Sequence, residues 1–215
     1  PLISNKDFYK RLSATSFVSA DLTKWFTQEV DIKFSQATKK MPTDEIGGLY
    51  TLRLGSYYPE GDMPGSLLLN SDNDVPIFTP RNIILNSQVN NTITNNSRMY
   101  FKSVFKPFKD LQGVFEYTYT KNDINYSYYS NKWTYSTLQL SANTIPSTDF
   151  YEKRRYFTDY NAFNAYLTYT KTLGNHNFKL MGGAAQEASY YEYINNRAEG
   201  QALLSIPSFD GATGT

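Results

Sequence analysis

The sequence predicts an all-β fold: antiparallel strands of a transmembrane outer-membrane β-barrel, about six strands in three hairpins. Three observations carry that expectation. Apolar and polar residues alternate with period two over long runs, and helical periodicity is nearly absent. Tight links join the strands of each pair, whereas long polar stretches join one pair to the next. The chain is also both aromatic and polar, with 19 Tyr, 14 Phe and 2 Trp among 215 residues and a mean hydropathy of −0.53. Strands that are apolar on one side only, joined by wet loops, account for both figures.

The first hairpin runs from Leu12. Leu12, Ala14, Val18, Ala20 and Leu22 alternate with Ser13, Thr15, Ser19 and Asp21, and Phe17 interrupts the polar side. Leu22-Thr23-Lys24-Trp25 is the link. Phe26, Val30, Ile32 and Phe34 then alternate with Thr27, Glu29, Asp31, Lys33 and Ser35. Successive Cβ atoms point to opposite faces of a strand, so one face is apolar and the other hydrated. In the second hairpin Met99, Phe101 and Phe105 alternate with Lys102 and Lys106. Pro107-Phe108-Lys109-Asp110 turns the chain, and Pro107 is expected to end ladder pairing. Phe115, Tyr117 and Tyr119 return against Glu116, Thr118 and Thr120. The third hairpin sets Phe163, Ala165, Leu167 and Tyr169 against Asn164, Tyr166, Thr168 and Thr170. It turns at Gly174-Asn175-His176-Asn177. Phe178, Leu180 and Ala184 follow beside Lys179, Met181 and Gln186, with weaker alternation.

Residues 41–98 read as one long polar loop rich in Gly, Pro and Asn, residues 136–150 as a shorter loop and residues 197–215 as a third. Short turns at one end and long loops at the other are the habit of outer-membrane barrels. The runs 152–173 and 113–132 exceed the ~5–6 residues usual in soluble strands. Trp25, Phe26, Phe105 and Phe108 gather at strand ends, as an interfacial aromatic belt requires. The competing architecture is a soluble or surface-displayed all-β glycan-binding module with these aromatics packed inside.

Composition excludes several classes. With 21 Lys+Arg against 20 Asp+Glu the chain has no strong field for nucleic acid. The absence of Cys excludes disulfides, thiolate metal sites and a Cys nucleophile, and the single histidine, His176, excludes a His-rich metal centre. No run of ~18 apolar residues marks a transmembrane helix.

The segment from Asn161 to Ala184, with its Lys171-Thr172-Leu173-Gly174-Asn175-His176-Asn177 turn, resembles the SusC-like (SusC/RagA) TonB-dependent outer-membrane transporters of Bacteroidetes. The first hairpin around Leu22-Thr23-Lys24-Trp25-Phe26 resembles them too, as does the tail Ala198-Glu199-Gly200 through Ile206-Pro207-Ser208-Phe209. The resemblance covers most of the chain, loosely in the loops. It implies a bacterial outer-membrane location and import of glycans or peptides driven by TonB. It also implies a SusD-like lipoprotein over the outer mouth. A recognisable plug domain and TonB box are missing, and about six strands are fewer than the ~8 of the smallest single-chain barrels. Residues 1–215 are therefore expected to be part of one barrel domain. If the tight turns are periplasmic, residues 41–98, 133–151 and 196–215 are extracellular.

No constellation supports an enzyme, and no cofactor is expected. His176 sits in a turn without partners in sequence and reads as a surface residue. Glu29 and Asp31 lie about 7 Å apart along one strand face, with Lys33 following, and read as a hydrated wall. The candidate substrate-binding residues are Tyr57, Tyr58, Tyr128, Trp133, Tyr190 and Tyr191, in tyrosine clusters near the long-loop end. Flat rings with a polar tip stack on sugar faces. Asp72 and Asp74 are a candidate calcium pair, though they lack the glycine and distant glutamate of an EF-hand loop. Lys153-Arg154-Arg155 reads as a solvated strand end or a contact for lipopolysaccharide phosphates.

Overall fold

Runs rich in Tyr, Phe, Thr, Val and Ile with alternating polarity fit a pleated surface, because their branched or ring side chains lose freedom against a helical turn. The computed structural model describes residues 7–42, 62–63, 74–78, 80–136, 141–145, 148–201, 209–210 and 212–214. Six long strands dominate it: β1 (Phe8–Thr23), β2 (Phe26–Pro42), β5 (Val89–Phe108), β6 (Leu111–Ser130), β9 (Phe150–Leu173) and β10 (His176–Gln201). They pair antiparallel in the order β1-β2-β5-β6-β9-β10, and the short β11 (Ala212–Gly214) adds to β10 at Glu199 and Gln201. The fold is therefore an all-β antiparallel sheet. Among the described residues β1 has β2 as its only ladder partner, so the sheet is open rather than closed on itself.

Three two-residue turns, Lys24-Trp25, Lys109-Asp110 and Gly174-Asn175, lie at one end of the sheet. Gly174 has φ 61°, a left-handed conformation that glycine adopts without penalty. His176 and Asn177, expected in this turn, instead open β10, with His176 opposite Leu173. A two-residue link suits the twist of a hairpin and leaves them free to pair. Pro107 does not end β5. It sits in a register shift between Phe105 and Phe108, and beside it the Lys106 N–H donates to the Trp25 carbonyl at 2.7 Å.

The expected loop 41–98 is shorter than its polarity suggested. Met41 and Pro42 finish β2, and residues 89–98 are the first half of β5, paired with both β2 and β6. Asn91, Asn95 and Asn96 disfavour strands on their own, but neighbours on both sides supply the ladder, and Asn90 pairs with Met41 of β2. Between them stand the two-residue strands β3 (Asp62–Met63) and β4 (Val75–Pro76) and a helix of about two turns, α1 (Pro80–Asn86). Pro80 opens that helix, where its missing N–H costs nothing. The expected loop 136–150 holds part of a small hairpin, β7 (Trp133–Ser136) with β8 (Ala142–Ile145). The expected third loop begins later, because β10 runs on to Gln201.

The ladder registers assign every long-strand residue to one of two faces. Rows such as Val18–Val30–Phe101–Tyr117–Phe163–Gln186 and Ala20–Gln28–Ser103–Phe115–Ala165–Ala184 form an apolar face. On it no charged residue occurs between Leu12 and Leu22 in β1, Leu111 and Tyr119 in β6, or Asn161 and Tyr169 in β9. Those spans are about 26–33 Å along the strand, or ~19–23 Å of height at a ~45° tilt. The opposite face carries Glu29, Asp31, Lys33, Arg98, Lys102, Glu116 and Glu187 at the same level. Leu12, Val18, Leu22, Ile32, Phe34, Leu167 and Leu180 are all exposed, Leu180 to 73%. The buried apolar residues are few, among them Val75, Ile77, Ile83, Val104 and Val114.

At the tight-turn end the aromatics cluster as expected. Phe26 and Phe105 stack with centroids 4.6 Å apart and planes 14° from parallel, and Trp25 lies 6.1 Å and 6.3 Å from them. One close approach fixes a residue type. A Cβ on Gly183 would lie 2.7 Å from the Ala165 carbonyl oxygen and 2.7 Å from Tyr166 Cβ, so only glycine fits there without a shift. A Cβ on its neighbour Gly182, on the apolar face, would meet nothing within 4 Å.

Candidate functional site

Midway along the polar face every carboxylate has a partner. Lys102 Nζ lies 3.2 Å from Glu29 Oε2, and Lys33 Nζ lies 3.2 Å from Asp31 Oδ2. The Tyr100 hydroxyl donates to Glu116 Oε1 at 2.9 Å. Glu29 and Asp31 thus belong to two separate ion pairs.

The denser grouping lies on the same face toward the long-connection end. Residues 150, 152, 154 and 156 of β9 all point to this face, and their register partners in β10 are Glu199, Arg197, Asn195 and Tyr193. From β6 come Tyr126 opposite Arg154 and Tyr128 opposite Glu152. Period-two geometry alone therefore gathers five aromatic strand positions and two arginines around one glutamate.

Glu152 is only 3% exposed. It accepts a hydrogen bond from Arg154 Nε at 2.7 Å, and the Asn195 side chain hydrogen-bonds it as well. Desolvation pushes its carboxyl up, but the Arg154 hydrogen bond and charge, Asn195 and the Arg197 charge outweigh it and hold the group below the ordinary 4.5. The bond to Glu152 raises Arg154 in turn.

Both guanidiniums lie against rings. Arg154 is 5.6 Å from the Tyr126 centroid and Arg197 is 3.8 Å from the Phe150 centroid. Tyr126 stacks on Tyr128 at 6.3 Å, and Tyr128 meets Phe150 at 5.1 Å. One row below, Tyr156 and Tyr193 lie 4.8 Å apart, with Tyr193 45% exposed. Arg197 Nη2 also pairs with Glu199 Oε1 at 2.6 Å.

The structure brings some expected candidates here and separates others. Tyr128 belongs to this wall. Tyr190 and Tyr191 are consecutive in β10, so they face opposite sides of the sheet. Tyr191 joins the polar wall, while Tyr190 points to the apolar side, where its hydroxyl donates to Glu192 Oε2 at 3.0 Å. Trp133 lies in β7 and packs with Tyr135 and Phe78, at 5.5 Å and 6.3 Å, in a separate aromatic group. Asp74 is exposed at the entry to β4. Tyr57, Tyr58 and Asp72 lie outside the described residues. Among the described residues no group of three metal-ligating side chains forms.

The basic run divides by face. Arg154 serves the polar wall. Arg155 lies on the other side and holds Asp123 through two bonds, Nε to Oδ1 at 3.0 Å and Nη2 to Oδ2 at 2.9 Å. That fork, first through its hydrogen bonds, keeps the Asp123 carboxyl below its usual range. Lys153 lies over Tyr151 and Phe209, at 5.5 Å and 5.8 Å. The signal for Glu152, Arg154, Arg197 and Tyr193 was present in the parity of their positions, but it becomes legible only once the β9–β10 register is known.

Compared with models of known protein families and with curated proteins, the chain matches none.

Proposed function

We propose that this sheet is part of the barrel wall of a SusC-like, TonB-dependent outer-membrane transporter that imports glycans or peptides with a SusD-like surface lipoprotein. The observation that carries the reading is the exposed apolar face, free of charge over its middle height, that runs across all six long strands. Water-soluble monomers rarely expose more than a few hundred Å² of contiguous apolar surface. A bilayer needs such a face, with strands of ~9–11 residues tilted through it. The opposite face then lines a wet lumen, and the three two-residue turns face the periplasm. Among the described residues β1 has no second ladder neighbour and β10 has only the short β11, and such edges call for further strands, since free edges invite aggregation. A soluble glycan-binding module explains the aromatics but leaves Leu12, Leu22, Leu167 and Leu180 in water.

The cysteine-free sequence makes the topology testable by single-cysteine labelling of intact cells. Cysteine at Lys132 or Asp210 is expected to react with a membrane-impermeant maleimide. Cysteine at Lys24, Asp110 or Asn175 is expected to react only after the outer membrane is permeabilised. Equal labelling of all five in intact cells contradicts the membrane reading. Uptake that persists without TonB contradicts the transport part.

A further inference from the structure

We propose that the Arg154–Glu152–Arg197 cluster and the tyrosines beneath it bind an acidic sugar ring, a hexose bearing a carboxylate. This deepens the reading of the polar face as a channel wall and rests on it.

The arrangement has two parts at matched spacing. Tyr191 and Tyr193 are exposed, to 60% and 45%, with Tyr156 packed on one side of Tyr193. Arg154 lies in the next row, opposite Asn195, and Arg197 in the row beyond, opposite Glu152. Rows on one face repeat every two residues, about 7 Å, which is near the width of a hexose. A ring stacked on Tyr193 therefore sets a substituent at the guanidiniums. A guanidinium binds carboxylate through parallel N–H donors in one plane. Glu152 holds the Arg154 plane through Nε, and Tyr126 supports it from below. Phe150 supports Arg197 in the same way. The two heads are thus oriented before any ligand arrives, which lowers the ordering cost of binding.

At the cluster Arg154 and Arg197 balance Glu152 and Glu199, and the positive surplus on this face comes from Arg11 and Lys39 across the sheet, a field that steers an anion toward the face. Beyond the Lys33–Arg98 row, the long strands present Arg11, Lys39, Arg154 and Arg197 on this face, against Glu152 and Glu199. The exposed tyrosines favour a sugar over an acidic peptide, because a hexose offers a C–H face to stack while an aspartate or glutamate side chain does not.

Calorimetry on the full-length protein in detergent tests this, with oligogalacturonate as the acidic probe, neutral oligogalactose as its match and polyglutamate as the peptide. Oligogalacturonate is expected to bind, to weaken with salt, and to weaken about tenfold or more in an Arg154→Gln/Arg197→Gln variant. Tyr191→Ala, at an exposed position, is expected to weaken it without disturbing folding. Neutral oligogalactose binding equally well, or oligogalacturonate binding unchanged by the arginine variant, overturns the proposal. Tighter binding of polyglutamate replaces the sugar with an acidic peptide and overturns it too. Absence of binding in a protein that labels as a barrel sinks this site and leaves the transporter reading intact. Binding in a protein whose tight turns label from outside does the reverse.

Discussion

The two faces of the sheet differ by a shift of one residue. Val30 and Asp31 are consecutive, as are Tyr100 and Phe101, and Gly182 and Gly183. Yet at mid-height one face is Val18, Val30, Phe101 and Phe163, and the other is Glu29, Asp31, Tyr100 and Lys102. The contrast teaches that each environment is specified separately, row by row. The apolar face needs the absence of charge over a fixed height. The polar face needs each carboxylate to meet a partner, across the ladder as Glu29 meets Lys102 or along one strand as Asp31 meets Lys33.

The largest expected effect comes from placing charge on the wrong face. In lipid vesicles Phe101→Arg is expected to cost ~2–4 kcal/mol, and Thr118→Arg on the polar face less than about 1 kcal/mol, measured by urea titration. Next is the glycine pair. Gly183→Ala is expected to cost ~1–3 kcal/mol, because backbone must move, and Gly182→Ala to be neutral or slightly stabilising. Equal costs for both would break the face assignment. At the tight-turn end, a double-mutant cycle on Phe26 and Phe105 is expected to show ~0.5–1.5 kcal/mol of coupling from the stack. The finest test is acid titration at the other end. Glu152 is held below its ordinary 4.5, so its contribution is full above that pH and falls away as pH drops through the lower folded value. Glu152→Gln is expected to remove that acid-sensitive component, seen as a flatter stability curve below pH 4.5.

The three hairpins and the two faces were legible in the sequence because period two is a local signal. Leu12 to Leu22 and Phe163 to Tyr169 declare their faces residue by residue. What failed was local too. Residues 89–98 carry loop-like asparagines, and only pairing on both sides makes them a strand. The α1 helix and the β7–β8 hairpin have too few residues to show a period. The wall around Glu152 depends on the register between β9 and β10, which no single strand encodes. For the same reason Tyr190 and Tyr191, neighbours in sequence, do not share a surface.

The central claim is that lipid meets one face and water the other. Single cysteines at Val30, Asp31, Phe163 and Asn164, each carrying an environment-sensitive fluorophore, test it in bilayers containing brominated lipid. Strong quenching is expected at Val30 and Phe163, with little at Asp31 and Asn164. Equal quenching of both members of each pair, or none at any position, would contradict it.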